Sequence, residues 1–192
     1  MGKVVITTNV SLDGIVQDPD GQEGFARGGW FNQYGGNDLA EWAAVETKEA
    51  LGADALLLGR GSDDWFASRW SARSGEWADT LNRLPKYVVS STLTEAKWSN
   101  STVITGDVVS EVATLKQEIS GEILIYASYH LVHMLIEHDL VDEFRLVVFP
   151  VVLGTGQRLF AETSDKKPLR LINVSTIGDG LAFLTYEVVK SA

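Results

Sequence analysis

The sequence predicts an α/β protein built as three αβα layers, with a central mixed and mostly parallel sheet that closes in an antiparallel hairpin. Three observations predict it. The apolar runs at 54–58 and Ile123-Leu124-Ile125 do not alternate with polar residues, as expected of strands covered on both faces. Segments with helical spacing follow such strands repeatedly, which places helices on both sides of one sheet. At the C-terminal end, 169–177 and 181–189 read as two extended segments joined through Gly178-Asp179-Gly180, a strong hairpin signal.

The elements follow in order. Residues 3–10 alternate loosely and meet Ser11-Leu12-Asp13-Gly14, a turn-rich exit from a first strand. From Asp18 to Gly36 the chain is rich in Gly, Asp, Gln and Asn but holds Trp30, Phe31 and Tyr34, which marks a candidate lid rather than plain disorder. Asp38 can cap a helix over about 38–51, where Leu39, Trp42, Ala43 and Ala50 recur at helical spacing and Gly52 is the stop. On that helix Glu41 and Glu46 read as solvated face. The strand 54–58 leads into a short helix from about Ser62, an irregular Trp-rich stretch, Pro85 and a strand over 86–91. After a short strand near 102–105, Val108, Val112, Leu115 and Ile119 form one helix face, ended by Gly121. The strand at 123–125 is followed by a helix carrying Leu131, Met134 and Leu135, then by a strand over 143–149 that stops at Pro150.

Composition narrows the function classes. At 192 residues the chain is read as one domain over 1–192, large enough to bury a core without staples. It has no Cys, which excludes thiolate nucleophiles, CxxC redox chemistry and cysteine zinc sites. The N-terminus is too short and too polar for a signal peptide or membrane span, so a cytoplasmic protein is expected. Sixteen basic against 26 acidic side chains give −10, the wrong sign for a nucleic-acid or anionic-lipid surface. An anionic ligand must then be met by locally placed Arg, Lys and backbone N–H groups. His130, His133 and His138 lack a carboxylate cluster at ligand spacing, and no metal is assigned. Ser, His and Asp are present without a nucleophile elbow, which weakens a hydrolase reading.

The chemistry points to one edge. The apolar Leu56-Leu57-Leu58 ends in Gly59-Arg60-Gly61-Ser62, and Lys86-Tyr87-Val88-Val89 ends in Ser90-Ser91-Thr92. An arginine fork beside hydroxyl donors suits a phosphate dianion, and a neighbouring glycine lets backbone approach it closely. A helix starting near Ser62 would add N–H groups and a positive dipole end. A phosphorylated dinucleotide, NADPH before NADH, is the expected ligand.

These residues belong to a longer series: Ser11-Leu12-Asp13-Gly14-Ile15, Leu58-Gly59-Arg60, Val88-Val89-Ser90-Ser91, Leu140-Val141-Asp142-Glu143 and Phe149-Pro150-Val151-Val152-Leu153-Gly154-Thr155-Gly156-Gln157-Arg158-Leu159-Phe160. In this order the series resembles the dihydrofolate-reductase-like superfamily, and within it the reductase domain of the bifunctional riboflavin-biosynthesis deaminase-reductase. The resemblance implies a sheet of about eight strands, NADPH across the C-terminal strand ends, and hydride transfer to a pterin, an aminopyrimidine such as 5-amino-6-(5-phosphoribosylamino)uracil, or a related heterocycle. It places the adenosine 2′-phosphate at Arg60, Ser90 and Ser91, with Ser62 and Thr92 beside them. Gly59 falls under the adenine-side phosphates, Tyr126, Ala127 and Ser128 fall at the pyrophosphate, and Asp13 with Gly14 borders the nicotinamide. Asp13, Asp38 and Glu41 are the candidate catalytic acids. Trp30, Phe31, Gly154 and Thr155 are candidate substrate contacts, and a homodimer is implied.

Two departures accompany the resemblance. The family places Gly-Gly or Gly-Ser where this chain has Tyr126-Ala127-Ser128, adding a Cβ where backbone needs close approach or unusual dihedrals. Folate reductases carry one buried carboxylate on the first helix, and Asp38, Glu41 and Glu46 offer no unambiguous match. An NADPH-dependent reductase of a small heterocycle is the main expectation. The alternative is a non-catalytic nucleotide-, flavin- or pterin-binding relative, or an interaction protein on the same fold.

Overall fold

The computed structural model describes residues 1–190. One sheet of eight strands organises them, in the spatial order β4-β3-β2-β5-β1-β6-β8-β7. The strands are β1 (Lys3–Ser11), β2 (Ala53–Gly59), β3 (Lys86–Val89), β4 (Ser101–Ile104), β5 (Glu122–Tyr126), β6 (Glu143–Phe149), β7 (Leu169–Ile177) and β8 (Leu181–Val188). All neighbours are parallel from β4 to β6, while β8 runs antiparallel to both β6 and β7. The expected mixed sheet and closing hairpin are both present.

The helices are α1 (Trp30–Gly35), α2 (Leu39–Gly52), α3 (Arg60–Trp70), α4 (Glu76–Arg83), α5 (Val108–Glu118) and α6 (Tyr129–Glu137). Alternation along the central strands explains the three layers. Val4, Ile6, Ile123 and Ile125 point to one face, where Val112 and Leu115 of α5 and Leu131, Val132 and Leu135 of α6 cover them. Val5, Leu56, Leu58 and Leu124 point to the other, beneath Ala50 of α2, Phe66 of α3 and Leu81 of α4. A third cluster, with Trp30, Val147, Phe149, Ile177 and Leu181, closes the β6–β8 end of that face.

Several local expectations change. The stretch 18–36 is not an open lid: the buried Asp18 carboxylate accepts hydrogen bonds from Glu23 N–H and Phe25 N–H, and its carbonyl accepts from Gly21 and Gly29 N–H. A single buried carboxylate thus organises residues 18–29, and α1 completes the stretch. The Trp-rich stretch before Pro85 forms α4, whose Trp77 packs edge-on to Trp70 with ring centroids 4.3 Å apart. The third change is at the start of α3, which begins at Arg60 rather than Ser62, with Gly59 as its N-cap.

Candidate active site

The site follows from topology. The connections leaving β1 and β2 pass over the face covered by α2, α3 and α4, while the connection leaving β5 passes over the α6 face. In such sheets a crevice opens at the carboxyl ends of strands whose connections diverge. Here β5 stops at Tyr126, and its pairing with β1 ends at Thr7↔Tyr126 and with β2 at Leu56↔Leu124. β1 continues to Ser11 and β2 to Gly59, so the short β5 floors a crevice between two longer strands.

One end of this crevice collects the residues singled out for phosphate. Arg60 is exposed at the first position of α3, and its guanidinium donates to Thr92 Oγ1 at 3.0 Å. Asp64 lies 3.9 Å from Arg60 Nε and leaves most of the fork open to solvent. Ser90 Oγ accepts from Thr92 N–H (3.3 Å) and Leu93 N–H (3.1 Å), holding the turn that brings Ser91 and Thr92 beside Arg60. The helix N-terminus, the guanidinium and three hydroxyl residues share one solvent-facing edge, a donor set matched to a dianion.

The next residues show what the glycine departure does. Ala127 and Ser128 both take left-handed backbone, at φ 53 and φ 57. Such values cost a non-glycine residue roughly 1–2 kcal/mol. Ser128 Oγ accepts the Gly59 N–H at 3.0 Å and lies 2.7 Å from Ser62 Oγ, lacing the β5–α6 turn to the β2–α3 turn. The chain keeps a glycine-type conformation without the glycines.

The three candidate acids do not meet in the crevice. Asp13 accepts from Leu153 N–H (3.0 Å), Gly154 N–H (2.7 Å) and the Ser11 hydroxyl (2.7 Å), and so pins the loop after β6. Desolvation acts to raise its pKa, but those three bonds outweigh it and bring it down to about 2. A carboxylate so stabilised as an anion is no proton donor near neutral pH. Asp38 makes no side-chain cap on α2, because a 3₁₀ turn at Gly36–Asp38 precedes the helix. Its carboxylate instead accepts from Asp179 and Gly180 N–H, and Glu41 accepts from Gly178 N–H at 2.9 Å. Both clamp the β7–β8 hairpin.

Of the proposed substrate contacts, Trp30 is 1% exposed, donates from Nε1 to Gln17 O and packs edge-on against Phe149. It is a core residue. Phe31 is half-buried against Trp42 and Phe149. Gly154 and Thr155 lie exposed in the loop that Asp13 fastens, and Gly14 adopts φ 85 beside it.

The acids that do reach the sheet are two others of α2: Glu46, read as solvated, and Glu49, which the sequence reading did not single out. Glu46 and Glu49 are 4% and 8% exposed. Glu49 accepts from Thr7 Oγ1 at 2.7 Å, and its other oxygen is 3.6 Å from Arg145, which also holds Glu143 (2.7 Å) and Glu122 (2.6 Å). Burial pushes the Glu46 carboxyl well above its ordinary 4.5, and Glu49 adds to the rise. Burial likewise raises Glu49, against the pull of Thr7 and Arg145. Nearer the crevice mouth, Trp42 Nε1 donates to Asn9 Oδ1 at 2.8 Å. The signal in the sequence was the stripe Leu39, Trp42, Val45, Glu46, Glu49, Ala50: two carboxylates at i, i+3 on the apolar side of a helix.

A cavity of about 450 Å³ lies elsewhere, beside His133, Arg158 and Phe160 on the α6 face. It is an open surface depression lined by His133, Gln157, Arg158 and Glu162, and no buried acid faces it. Among the described residues no three His, Asp or Glu side chains group as a metal site, and no helix is long and apolar enough to cross a membrane.

Comparison with known proteins agrees with this fold. The family model described as the RibD C-terminal domain matches residues 2–183. The uncharacterized protein YyaP of Bacillus subtilis (strain 168) is 26% identical over 197 aligned positions, covering 96% of this chain and 94% of YyaP. Among solved structures, a Shewanella sp. PV-4 protein named for riboflavin biosynthesis superposes with a TM-score of 0.75 at 22% identity, covering 98% of this chain and 99% of that one. The diaminohydroxyphosphoribosylaminopyrimidine deaminase/5-amino-6-(5-phosphoribosylamino)uracil reductase of Thermotoga maritima gives 0.63 at 12% identity, and the alignment covers 98% of this chain but only 57% of the longer enzyme. Dihydrofolate reductase from Enterococcus faecalis, complexed with NADP(H), gives 0.57 at 13% identity over 98% of this chain and 97% of that enzyme. The fold is dihydrofolate-reductase-like.

Proposed function

The chain belongs to the RibD C-terminal domain family, and from that premise we propose that it is an NADPH-dependent reductase acting on a C=N or C=O bond of a small heterocycle, of aminopyrimidine or pterin type. The observation that carries the reading is the convergence of Arg60, Ser90, Ser91 and Thr92 with the N-terminus of α3 at one end of the β5 crevice. Only the phosphorylated dinucleotide carries a group that uses this donor set in full.

NADPH would supply the hydride. The protein's part is binding, orientation and proton supply. Arg60, Thr92 and Ser91 would hold the 2′-phosphate, and Ser62 and Ser128 would offer hydroxyls toward the pyrophosphate. The floor beside α2 would receive the heterocycle. Hydride arriving at a ring carbon leaves negative charge on the adjoining nitrogen or oxygen, which requires a proton. Glu46, buried and held toward its neutral form, is the group suited to give it.

Calorimetric titration with NADPH and NADH tests the reading. Wild type should prefer NADPH, and Arg60→Ala should remove most of that preference while leaving NADH nearly unchanged. Equal losses for both dinucleotides would refute a 2′-phosphate role for Arg60.

A second reading, a ligand-binding relative without catalysis, draws on the Ser128–Gly59 bond, which occupies a backbone N–H that a pyrophosphate would otherwise use. Failure to bind either dinucleotide would select it. We also propose the homodimer, with the β7 edge as its surface: Leu171, Ile172 and Val174 are 49%, 49% and 62% exposed, and the strand's one charge, Arg170, is paired with Glu187 in its own hairpin. Leu171→Lys with Val174→Lys should give monomers by light scattering, and unchanged mass would exclude this surface.

A further inference from the structure

The loop that Asp18 organises, residues 18–29, meets the far side of the crevice through one arginine. Among the described residues its only polar tie to α3 is Arg69, in the last turn of that helix. Arg69 Nη2 donates to Gln22 Oε1 and lies 4.0 Å from Asp20 Oδ2. Its Nη1 donates to Ser68 Oγ at 3.2 Å and to Trp65 O at 3.3 Å, and the guanidinium carbon sits 4.2 Å over the Trp65 ring centroid. Contacts within α3 therefore aim the fork at the loop independently of the loop itself.

Topology says what this contact spans. The loop leaves β1 and α3 leaves β2, and in the sheet β5 lies between those two strands. Two strand spacings make about 10 Å, so residues 20–22 reach across the short strand that floors the crevice. On the β1 side the loop is rooted: Trp30 Nε1 donates to Gln17 O, Arg27 donates to Leu153 O, and Phe31 N–H donates to Pro19 O. Its two ends meet, because Asp18 O accepts the Gly29 N–H at 3.0 Å, with Asp18 at φ 48 and Gly29 at φ 80. A compact loop closed at such a neck can turn as one body. The tie to α3 is also incompletely made. Asp20 Oδ2 is buried without a hydrogen bond, and 4.0 Å is too long for the charged bond that Arg69 has to offer. A shift of about 1 Å toward α3 would make that bond. A buried carboxylate oxygen left unpaired is costly, and it is accounted for if the loop has a second, more closed position.

We propose that residues 18–29 are a lid over the crevice floor and that Arg69 is its catch, engaged at Gln22 and one step short of engagement at Asp20. Ligand enters when the catch releases, and full closure over a bound ligand brings Asp20 onto Arg69. The lid deepens the reductase reading by adding the step that admits and retains the dinucleotide. It rests on that reading only for the identity of what passes beneath it.

The chain has no cysteine, so a nitroxide pair introduced through Ala26→Cys and Ser71→Cys, both exposed positions, reports the place of the lid by electron paramagnetic resonance without any ligand. The pair should give one narrow distance with Arg69 present and a broader, longer distribution after Arg69→Gln. Gln22→Ala, which removes the same contact from the loop side and leaves α3 intact, should do likewise. Stopped-flow binding of NADPH reads the gate: both variants should raise the association and dissociation rates together by about tenfold at a nearly constant Kd, a pattern that loss of a merely structural bond would not give. Unchanged distances in both variants, or altered distances with unaltered rates, would overturn the proposal. A wild-type protein that ignores NADPH would remove the reductase reading instead, and the distance distributions would still decide whether Arg69 holds the lid.

Discussion

Ser128 Oγ accepts the backbone N–H of Gly59 at 3.0 Å, joining the turn after β5 to the turn after β2 across the mouth of the crevice. Ser128 can reach because it and Ala127 both hold left-handed backbone. The strained turn and the latch are one device, and the two residues can be separated by mutation.

Ala127→Gly keeps the latch and removes the penalty of a Cβ at φ 53. The variant should be more stable by up to about 1 kcal/mol, the part of the left-handed cost that glycine's extra chain entropy does not cancel. It should also bind NADPH more tightly, since the backbone there loses a methyl group. Thermal melting and calorimetry read the two effects separately.

Asp13→Asn should loosen the loop after β6. Two backbone N–H bonds and one hydroxyl bond now end on a carboxylate, and exchanging charge for an amide should cost about 1–2 kcal/mol at neutral pH. The pH dependence has a definite sign. The folded pKa is depressed from 3.8 to about 2, so the stabilisation is present above 3.8 and disappears as pH falls toward about 2. Acid titration of the melting midpoint should show this limb in wild type and a flatter one in Asp13→Asn.

Trp30→Ala should destabilise the fold by about 3–5 kcal/mol, as expected for emptying a buried aromatic position. Ligand affinity at temperatures where the variant stays folded should not change, because the indole is 1% exposed and spent on Gln17 and Phe149. Equilibrium unfolding in urea gives the first quantity. A selective loss of affinity would return Trp30 to the pocket.

The frame and the meeting of Arg60 with Thr92 were legible because each rests on local pattern. Unbroken apolar runs mark Leu56-Leu57-Leu58 and Ile123-Leu124-Ile125 as central strands, and Gly178-Asp179-Gly180 marks the hairpin whatever lies around it. Arg60 and Thr92 could be paired in advance because both sit where parallel neighbours β2 and β3 end. The acids were misread because their roles depend on long-range partners. Asp13 meets residues 153 and 154, Asp38 meets 179 and 180, and Asp18 organises a loop that composition alone presents as open. Glu46 was taken as solvated because carboxylates on helices usually are. The signal against that reading was its place on the apolar stripe of α2, beside Trp42, Val45 and Ala50.

Glu46 therefore carries the most demanding test. Its folded pKa is raised by burial and by Glu49, so the folded state holds the proton more firmly than the unfolded chain. The sign is opposite to that of Asp13: stability is greatest below the ordinary 4.5 and is lost as pH rises through the elevated folded value. Glu46→Gln keeps the shape and cannot ionise. It should match wild type in acid, exceed it on the alkaline side by on the order of 1–3 kcal/mol, the cost of a buried unpaired charge, and show a flat profile between. If Glu46 also supplies the proton that follows hydride transfer, the same variant should lose turnover by about 10²-fold or more while NADPH affinity stays constant. A more stable protein with slower chemistry would mark a carboxyl retained for reaction at the expense of the fold. Gain of stability with full turnover would leave Glu46 as buried acid alone, and the proton would have to come from water or from the substrate.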